Sequence, residues 1–452
     1  MRDETDELVT LARGVVQRAL QGVDVAEVSV GRTWDLSAKV RLGEPELVEE
    51  AGQRGLSLRV IREGRVAMTS TSDLSDEGLA RCVADALELA ELSEPDPWVG
   101  PAPAALLCAP PHPDLDLFDP TLDALDADGA IERARRAERA ALDFDPRITL
   151  SEGATFSRTS GTGVMVLSSG FEGAQRGSYA ALSVAPVTED EGGKRRRGSY
   201  WTARRHLADL EDEVAVGVEA ARRTLAKLGA RKIDTCEAPV VFDKDAARSI
   251  VGTFAGCVVG GALWRKSSYL LGRLGSPVAS PLVHIIDDPL LPRGPGSRPY
   301  DGEGLRSRKN EIVRGGALQS YLLDCYAARK LEMESTASAS RSGGSIGAST
   351  TNFIMQGGDL SRDELIASTP RGLLVTEMMG FGFNALTGDF SRGAAGFWIE
   401  DGKIAFPVSE ITISSNLDTM LLGVDAVADD LELKTSTAAP TFRVAAMTIA
   451  GS

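Results

Sequence analysis

Histidine is rare in this chain, and its scarcity limits the chemistry available. The 452 residues contain three histidines, His112, His206 and His284, which lie far apart. No two of them are one helical turn apart, so no helix can offer two imidazoles to one metal ion. The spacing also leaves no evident base beside a serine or cysteine nucleophile. His112 lies between two prolines and is predicted to be an exposed loop residue.

Cysteine pairs and long apolar runs are also missing. The 5 cysteines form no Cys-x-x-Cys pair, which favours free, buried thiols in a reducing compartment. The acidic start of the chain lacks the apolar stretch of a signal peptide, and no apolar run approaches the roughly 20 residues that span a bilayer. These absences predict a cytoplasmic protein without a membrane segment. The cysteines are Cys82, Cys108, Cys236, Cys257 and Cys325.

Basic residues are outnumbered, because 49 Lys and Arg stand against 65 Asp and Glu and leave a net charge of −16. Binding to phosphate needs a concentrated basic face, so this balance argues against nucleic acid as a partner. One basic run at 194–197 follows the acidic residues 189–191. It is predicted to be an exposed hairpin tip whose charges compensate each other.

Aromatic residues are scarce at 5%, whereas 47 glycines are present. The cores must therefore be aliphatic, and the glycines favour tight turns and β structure. The length favours two domains of about 200 residues. We predict an α+β fold with an N-terminal α/β sandwich-like domain at 1–230 and a mainly β C-terminal domain at 231–452. A proline-rich loop at about 93–120 is expected to lack regular structure.

Periodicity predicts the individual elements. Apolar residues at helical spacing predict helices, and alternating residues predict strands. Helices are expected over the first 20 residues and at 76–92, 126–142, 210–228 and 244–259. Strands are expected at 26–32, 36–42, 55–61, 66–70, 148–157, 163–168, 177–188, 199–205 and 238–242.

The second half carries a set of distinctive segments, which together resemble the TldD/PmbA family, also called the modulator of DNA gyrase family. The resemblance covers nearly the whole chain, and the first two segments are the most specific. The segments are TGDFSRGAAGFWIE at 387–400, DGEG at 301–304, GGALWRKSS at 260–268, DDP at 287–289, YAARKL at 326–331, TNF at 351–353 and PVSEITI at 407–413.

That resemblance implies two kinds of subunit, of which only one binds zinc. TldD-like members carry a His-Glu-x-x-x-His helix and a later cysteine that hold zinc, whereas the TldE/PmbA branch lacks these ligands. This chain resembles the TldE/PmbA branch, because residues 252–261 contain no His-Glu pair and no cysteine follows Cys325. A single thiol, Cys257, cannot build a site that needs three protein ligands.

The implied role is that of a non-catalytic subunit in a heterodimer with a TldD-like partner. The chain would complete a closed chamber for unfolded peptides, and the partner would supply the zinc. No cofactor, catalytic residue or metal ligand is expected in the chain itself. A homodimer in the absence of the partner stays open.

The distinctive segments supply the candidates for the chamber or the subunit interface. Asp301 and Glu303 lie in a tight turn, where two carboxylates could do acid–base work, cap the turn or pair with basic residues. The small residues at 393–396 favour close approach of backbones, either between strands or between subunits. The candidates are Arg265, Lys266, Asp301, Glu303, Arg341, Asn352, Asn384, Thr387, Asp389, Ser391 and Glu400.

Two further functions remain as alternatives. The chain could be a homodimeric peptide-binding or regulatory protein, or a peptidase with an unrecognised serine or carboxylate site. The glycine-rich stretch at 380–384 lacks the third glycine and the context of a dinucleotide loop. The stretch at 343–347 resembles a nucleophile elbow only loosely and is better interpreted as a flexible loop.

Overall fold

The structure is a computed structural model that describes residues 2–342 and 345–451. Of the predicted flexible loop at 343–347, residues 343 and 344 lie outside the described residues, and the remainder begins a β-strand. The fold combines helices and sheets, which confirms the predicted α+β class.

The first part of the chain alternates long strands with helices. Its elements are α1 Arg2–Ala19, β1 Val25–Arg41, β2 Glu44–Arg62, β3 Arg65–Thr71, α2 Asp76–Leu92, α3 Pro120–Asp123, α4 Ala127–Leu142, β4 Ile148–Leu167, β5 Glu172–Glu189, β6 Arg195–Arg197, β7 Tyr200–Arg204 and α5 Glu213–Leu225.

The seven strands form one antiparallel sheet in the order β3-β2-β1-β4-β5-β6, with β7 also paired to β5. Two predicted breaks are wrong, since β1 and β4 each run without interruption. Thr33, at the expected break in β1, has a strand partner on both sides, Gln53 and Gly161. Pairing on both sides therefore continues a strand where the local pattern is weak.

All four long helices of this part cover the same face of the sheet. Val28 and Val30 are buried in one core with α1 and α2, whereas Leu36 and Ala38 are buried in another with α4 and α5. Alternate residues of a strand share a face, so both helix pairs lie side by side on it. The proline-rich loop is irregular, as predicted, apart from a short 3-10 turn at Ala104–Leu106.

The second part of the chain has shorter elements. They are β8 Cys236–Phe242, α6 Lys244–Val258, α7 Gly260–Trp264, β9 Ile285–Asp287, β10 Asn310–Arg314, β11 Ala317–Leu318, α8 Cys325–Lys330, β12 Ala339–Ser342, β13 Ser345–Ala348, β14 Phe353–Met355, α9 Arg362–Ala367, β15 Arg371–Met379, β16 Asp389–Glu400, β17 Lys403–Asn416, α10 Leu417–Leu422, β18 Val424–Val427, β19 Thr437–Ala438 and β20 Phe442–Ala450.

Five of these strands close into a ring. The order is β17-β16-β15-β8-β20, and β20 pairs back onto β17. A separate sheet has the order β11-β10-β9-β14-β19. Helix α6 packs between the ring and this sheet, and its Ile250 and Phe254 share one core with Phe242 of β8 and Phe353 of β14. The large core therefore holds α6 in place on its apolar side.

The seven-stranded sheet uses residues 25–204, and the ring and the second sheet use residues 236–450. The predicted division near residue 230 stays a prediction. A buried lysine joins the two parts: the Nζ of Lys434 donates to the hydroxyl of Tyr200 at 2.8 Å and lies 3.3 Å from carboxylate oxygens of Glu211 and Glu432. In the described ranges, no helix has the length and apolar character needed to cross a membrane.

Candidate functional site

Helix α6 is the element on which the site is built. Asp243 caps its start by accepting from the backbone N–H of Asp245, and buried Ile250 and Phe254 recur at helical spacing on one side. The helix was predicted at 244–259, and the structure ends it one residue earlier. Its other side faces solvent across a cleft.

The cleft has a volume of about 830 Å³ and three kinds of wall. Its floor is one side of α6, including Ser249, Gly252 and Gly256. An apolar wall follows the end of β15 and the loop after it, with Met378, Phe381 and Phe383. A polar wall carries Thr435 and Thr437. A cleft of this size and mixed lining suits a small ligand or a short peptide segment.

Two glycines of α6 leave the cleft open because they have no side chains. A Cβ added at Gly256 would meet no atom within 4 Å, and one at Gly252 would approach only the Thr437 methyl at 3.8 Å. These positions lie four residues apart and therefore on the same side of the helix. Larger side chains would fit sterically at both positions, but they would fill the cleft.

Two arginines line the same cleft from different elements. Arg392 on β16 donates from Nη1 to the hydroxyl of Ser249 at 2.7 Å. Arg248 on α6 donates to the hydroxyl of Thr435 at 3.4 Å, and its guanidinium lies 5.1 Å from the ring centre of Trp201. The cleft therefore carries positive charge although the chain is acidic.

The residues on α6 do not fit a zinc ion. Cys257 is buried, its Sγ points back to the carbonyl of Thr253 at 3.6 Å, and burial raises the pKa of the thiol to about 12. A zinc ligand would have to be a thiolate, an imidazole or a carboxylate. The one carboxylate that α6 presents to the cleft, Asp245, is paired with Arg223 at 2.9 Å. Across the described parts of the chain, no three His, Cys, Asp or Glu side chains are grouped to hold a metal ion.

The three histidines are dispersed in the structure as they are in the sequence. His112 is half-buried and contacts the rings of Phe171 and Tyr300, at centroid distances of 5.7 and 5.0 Å. The prediction of an exposed His112 is therefore wrong, because the rings of Phe171 and Tyr300 pack against it. His206 lies 3.0 Å from the carbonyl of Asp116, and His284 accepts from the N–H of Gly315.

The predicted carboxylate pair Asp301 and Glu303 is deeply buried. Asp301 accepts from the backbone N–H groups of Glu303, Leu305 and Ala339 at 2.9–3.0 Å. Glu303 accepts from the N–H of Cys325 at 2.8 Å. Burial raises the pKa of both carboxyls, and burial together with the neighbouring Asp301 raises that of Glu303 to about 7. Backbone capping is one of the three predicted roles, and both side chains accept hydrogen bonds from backbone N–H groups.

Arg341 does not pair with these carboxylates. It donates to the carbonyl of Gly302 between them and forms an ion pair with Glu27 at 2.5 Å. Glu27 also pairs with Arg59 at 3.0 Å. Arg341 thus connects the turn to the N-terminal sheet.

Four of the other candidates lie in or beside one exposed turn near the cleft. Thr387 donates to the carboxylate of Asp389 at 2.6 Å, and Asn384 accepts from the N–H of Leu386 at 3.0 Å. Ser391 donates its backbone N–H to the carbonyl of Gly382 at 2.8 Å. These contacts hold the loop that carries Phe381 and Phe383.

The remaining candidates are scattered. Asn352 is fully buried and donates to the carbonyl of Asp288 at 2.6 Å. Arg265 and Lys266 are exposed just after α7, where the Arg265 guanidinium lies 5.0 Å from the ring centre of Trp264. Glu400 is exposed at the opposite end of β16 from the turn.

Sequence reasoning missed the residues that define the cleft, Arg248, Ser249 and Arg392. The paired glycines at 252 and 256, preceded one turn earlier by Arg248, were the available local signal. Arg392 lay within a recognised segment, but nothing local indicates that it reaches α6.

The basic run at 194–197 forms ion pairs both within its own hairpin and with other strands. Arg196 pairs with Asp190 at 2.7 Å, as expected for self-compensation. Lys194 pairs instead with Glu410 on β17, and Arg197 with Glu152 on β4. All five cysteines are free, and only Cys236 is not fully buried.

The long antiparallel sheet and the closed ring of strands with α6 against it lie in segments that match models of one family of metallopeptidases. Models of the PmbA/TldA metallopeptidase match in three parts: domain 1 at residues 26–90, the central domain at 120–228 and the C-terminal domain at 235–451. The chain belongs to the PmbA/TldA metallopeptidase family.

Individual relatives extend over the whole chain. The metalloprotease PmbA of Escherichia coli is 40% identical over 95% of this chain and 92% of its own length. A PmbA homologue of Haemophilus influenzae is 36% identical over 100% of this chain and 98% of its own.

Solved structures share the fold. A modulator of DNA gyrase from Bacteroides thetaiotaomicron superposes with a TM-score of 0.92 at 28% identity, covering 99% of this chain and 100% of that one. TldE from Thermococcus kodakarensis superposes with a TM-score of 0.88 at 22% identity, covering 98% and 100%. The second likeness is one of fold alone.

Proposed function

We propose that this chain is the non-catalytic subunit of a two-subunit metallopeptidase and that it completes the chamber in which peptides are held. The observation that carries the proposal is the chemistry of α6. Gly252 and Gly256 face the cleft, and Cys257 is a buried, protonated thiol. A helix built in this way can line a peptide site, and its residues 244–258 include no histidine to hold a zinc ion that would activate water.

The partner would be a TldD-like protein that brings the zinc, the activated water and the general base. The chain itself would supply walls and binding groups for an extended, unfolded peptide. Main-chain hydrogen bonds from strands would give affinity without reading every side chain. The names of the relatives support the peptidase context, since the E. coli relative is called a metalloprotease.

The test is reconstitution with the TldD-like protein of the same organism. Each protein alone and the equimolar mixture would be analysed by size-exclusion chromatography with light scattering, by zinc analysis and by cleavage of an unfolded casein peptide. The expected result is a one-to-one complex that cleaves the peptide and holds zinc in the partner, while this chain alone is inert.

Three outcomes would overturn the proposal. Stoichiometric zinc in this chain alone would show a site assembled from distant residues. Cleavage by this chain alone would establish an independent peptidase. A homodimer that binds peptide and never associates with the TldD-like protein would favour the regulatory alternative.

A further inference from the structure

Two arginines, Arg248 and Arg392, line the α6 cleft. Neither Arg248 nor Arg392 forms an ion pair with a carboxylate of residues 2–342 or 345–451. Asp245, the one carboxylate in the lining of the cleft, accepts from Arg223 at 2.9 Å. The shielded Arg59, in contrast, pairs with Glu27 at 3.0 Å, whereas buried Arg298 resembles Arg392 in having nitrogens without a hydrogen-bond partner among the described residues.

Of the two guanidiniums, that of Arg392 has fewer of its hydrogen-bond donors satisfied. Its Nη1 donates to the neutral hydroxyl of Ser249, while its buried Nε has no hydrogen-bond partner in the described chain. Burial lowers the pKa of this guanidinium, and no neighbouring carboxylate counters the effect. A buried donor without a partner is costly and calls for an explanation.

Arg248 extends the same polar strip. It is held by the neutral Thr435 hydroxyl and by the face of Trp201. Both contacts orient the guanidinium without cancelling its charge. Its Nε also donates to the backbone carbonyl of Asp245 at 3.4 Å, and the side chains of both arginines line the cleft.

An apolar surface lies within the same cleft. Met378, Phe381 and Phe383 form it, and the open positions Gly252 and Gly256 leave space between it and the helix. The last residue of a peptide combines a carboxylate and a side chain on one Cα. Such a residue can place its carboxylate on the arginines while its side chain contacts the aromatic wall. An acidic side chain within a peptide does not share its Cα with a second, apolar side chain that could contact the aromatic wall.

We propose that the α6 cleft binds the free C-terminal carboxylate of a peptide through Arg248 and Arg392, with the terminal apolar side chain against Phe381 and Phe383. The inference rests on the proposed function only in taking a peptide as the ligand. It concerns this chain alone and does not require the partner.

The experiment is calorimetric titration of the full chain with three unlabelled peptides of equal length. The first is acetyl-Ala-Ala-Ala-Leu-Phe with a free carboxylate, the second is its C-terminal amide, and the third is an amide with one internal Glu. The acid is expected to bind at least about tenfold more tightly than either amide, because charge-assisted bidentate hydrogen bonds are lost in the amides. Added salt should weaken binding of the acid only moderately, since the site is partly shielded.

Three variants and one control locate the site. Arg392→Gln and Arg248→Gln should each weaken binding of the acid by about tenfold. Gly256→Leu should abolish binding by filling the cleft, while improving helix propensity. Arg54→Gln, an exposed arginine on β2, should leave binding unchanged. Circular dichroism of each variant checks that the fold is kept.

Equal affinity for the acid and the plain amide would overturn the proposal, as would unchanged binding by both the Arg392 and Gly256 variants. Tight binding of the amide with an internal Glu would also overturn it, in favour of a site for acidic side chains. Complex formation with the TldD-like protein is measured separately on the same variants. Association without carboxylate selectivity would refute this inference alone, and selectivity without association would refute only the two-subunit function.

Discussion

Arg392 of β16 donates to the hydroxyl of Ser249 on α6 at 2.7 Å, and this hydrogen bond joins the ring of strands to the floor of the cleft. The same guanidinium keeps a buried Nε without a partner among the described residues. An arginine placed in this way contributes little to stability, because its desolvation offsets its one hydrogen bond.

Replacing Arg392 by Met tests this balance. The substitution removes the charge and the unpaired donor but retains an apolar stem. The free energy of unfolding is expected to stay within about 1 kcal/mol of the wild type or to rise. Urea denaturation followed by circular dichroism measures it. A loss of more than about 3 kcal/mol would show that the guanidinium is structural.

Glu303 should make stability depend on pH. Its folded pKa of about 7 lies above its ordinary value of 4.5, so the folded state holds the proton more tightly. This contribution is complete below about pH 4.5 and is lost as the pH rises through about 7. Glu303→Gln cannot ionise and keeps an acceptor for Cys325. The variant should therefore gain stability relative to the wild type between about pH 5 and about pH 8.

Thermal unfolding at several pH values would follow this difference. Glu88→Gln, an exposed carboxylate on α2, serves as the control and should show a constant difference from the wild type. A difference that is also constant for Glu303→Gln would contradict the prediction.

Lys434 is expected to be the most sensitive link between the two parts of the chain. It is 6% exposed and is surrounded by Tyr200, Glu211 and Glu432. Lys434→Met would leave two half-buried carboxylates with fewer counter-charges and should lower the free energy of unfolding by about 2 kcal/mol. Lys403→Met, at an exposed site on β17, should change it by less than about 0.5 kcal/mol. Similar losses for both variants would argue against the buried link.

Gly396 is required for the close approach of β15 and β16. An added Cβ would lie 1.8 Å from the carbonyl oxygen of Leu374, so Gly396→Ala should cost about 1–3 kcal/mol of unfolding free energy. Gly256→Ala has free space and sits inside a helix, so it should stabilise by about 0.5–1 kcal/mol. Chemical denaturation of both variants compares them, and a tolerated alanine at 396 would show that the strands can separate.

Phe381 should contribute to association under the proposed two-subunit function. Its side chain is 99% exposed at the rim of the cleft, and aromatic anchors often dominate interfaces. Phe381→Ala should weaken the complex with the TldD-like protein by about tenfold or more. Leu92→Ala, at a 75% exposed position on α2, is the matched control. Equal affinity of both variants would place the interface elsewhere.

Local signals predicted helix α6 well. Asp243 can cap it, and apolar residues recur at helical spacing through Ile250 and Phe254, so both the start and the buried side follow from neighbouring residues. Helix α2 was predicted for the same reason, since Ser75 accepts from the N–H of Gly78. Such features depend on groups within a few positions of one another.

The errors came from interactions between distant segments. Thr33 lies in the middle of a strand because Gln53 and Gly161 pair with it from either side. His112 is shielded because Phe171 and Tyr300 pack against it. In both cases the contacting residues are distant in sequence, so neither outcome could be predicted from the residues around Thr33 or His112.

The sequence by itself determined the chemistry that the chain lacks. With three dispersed histidines, α6 carries no pair of imidazoles one helical turn apart, because side chains that are not encoded cannot be supplied by folding. Only the tertiary structure decided which groups line the cleft instead. Arg392 and Ser249 are 143 residues apart, and they meet because the closed ring of strands packs against α6. Their contact depends on how the whole ring packs against the helix, so it cannot be predicted from the residues next to either one.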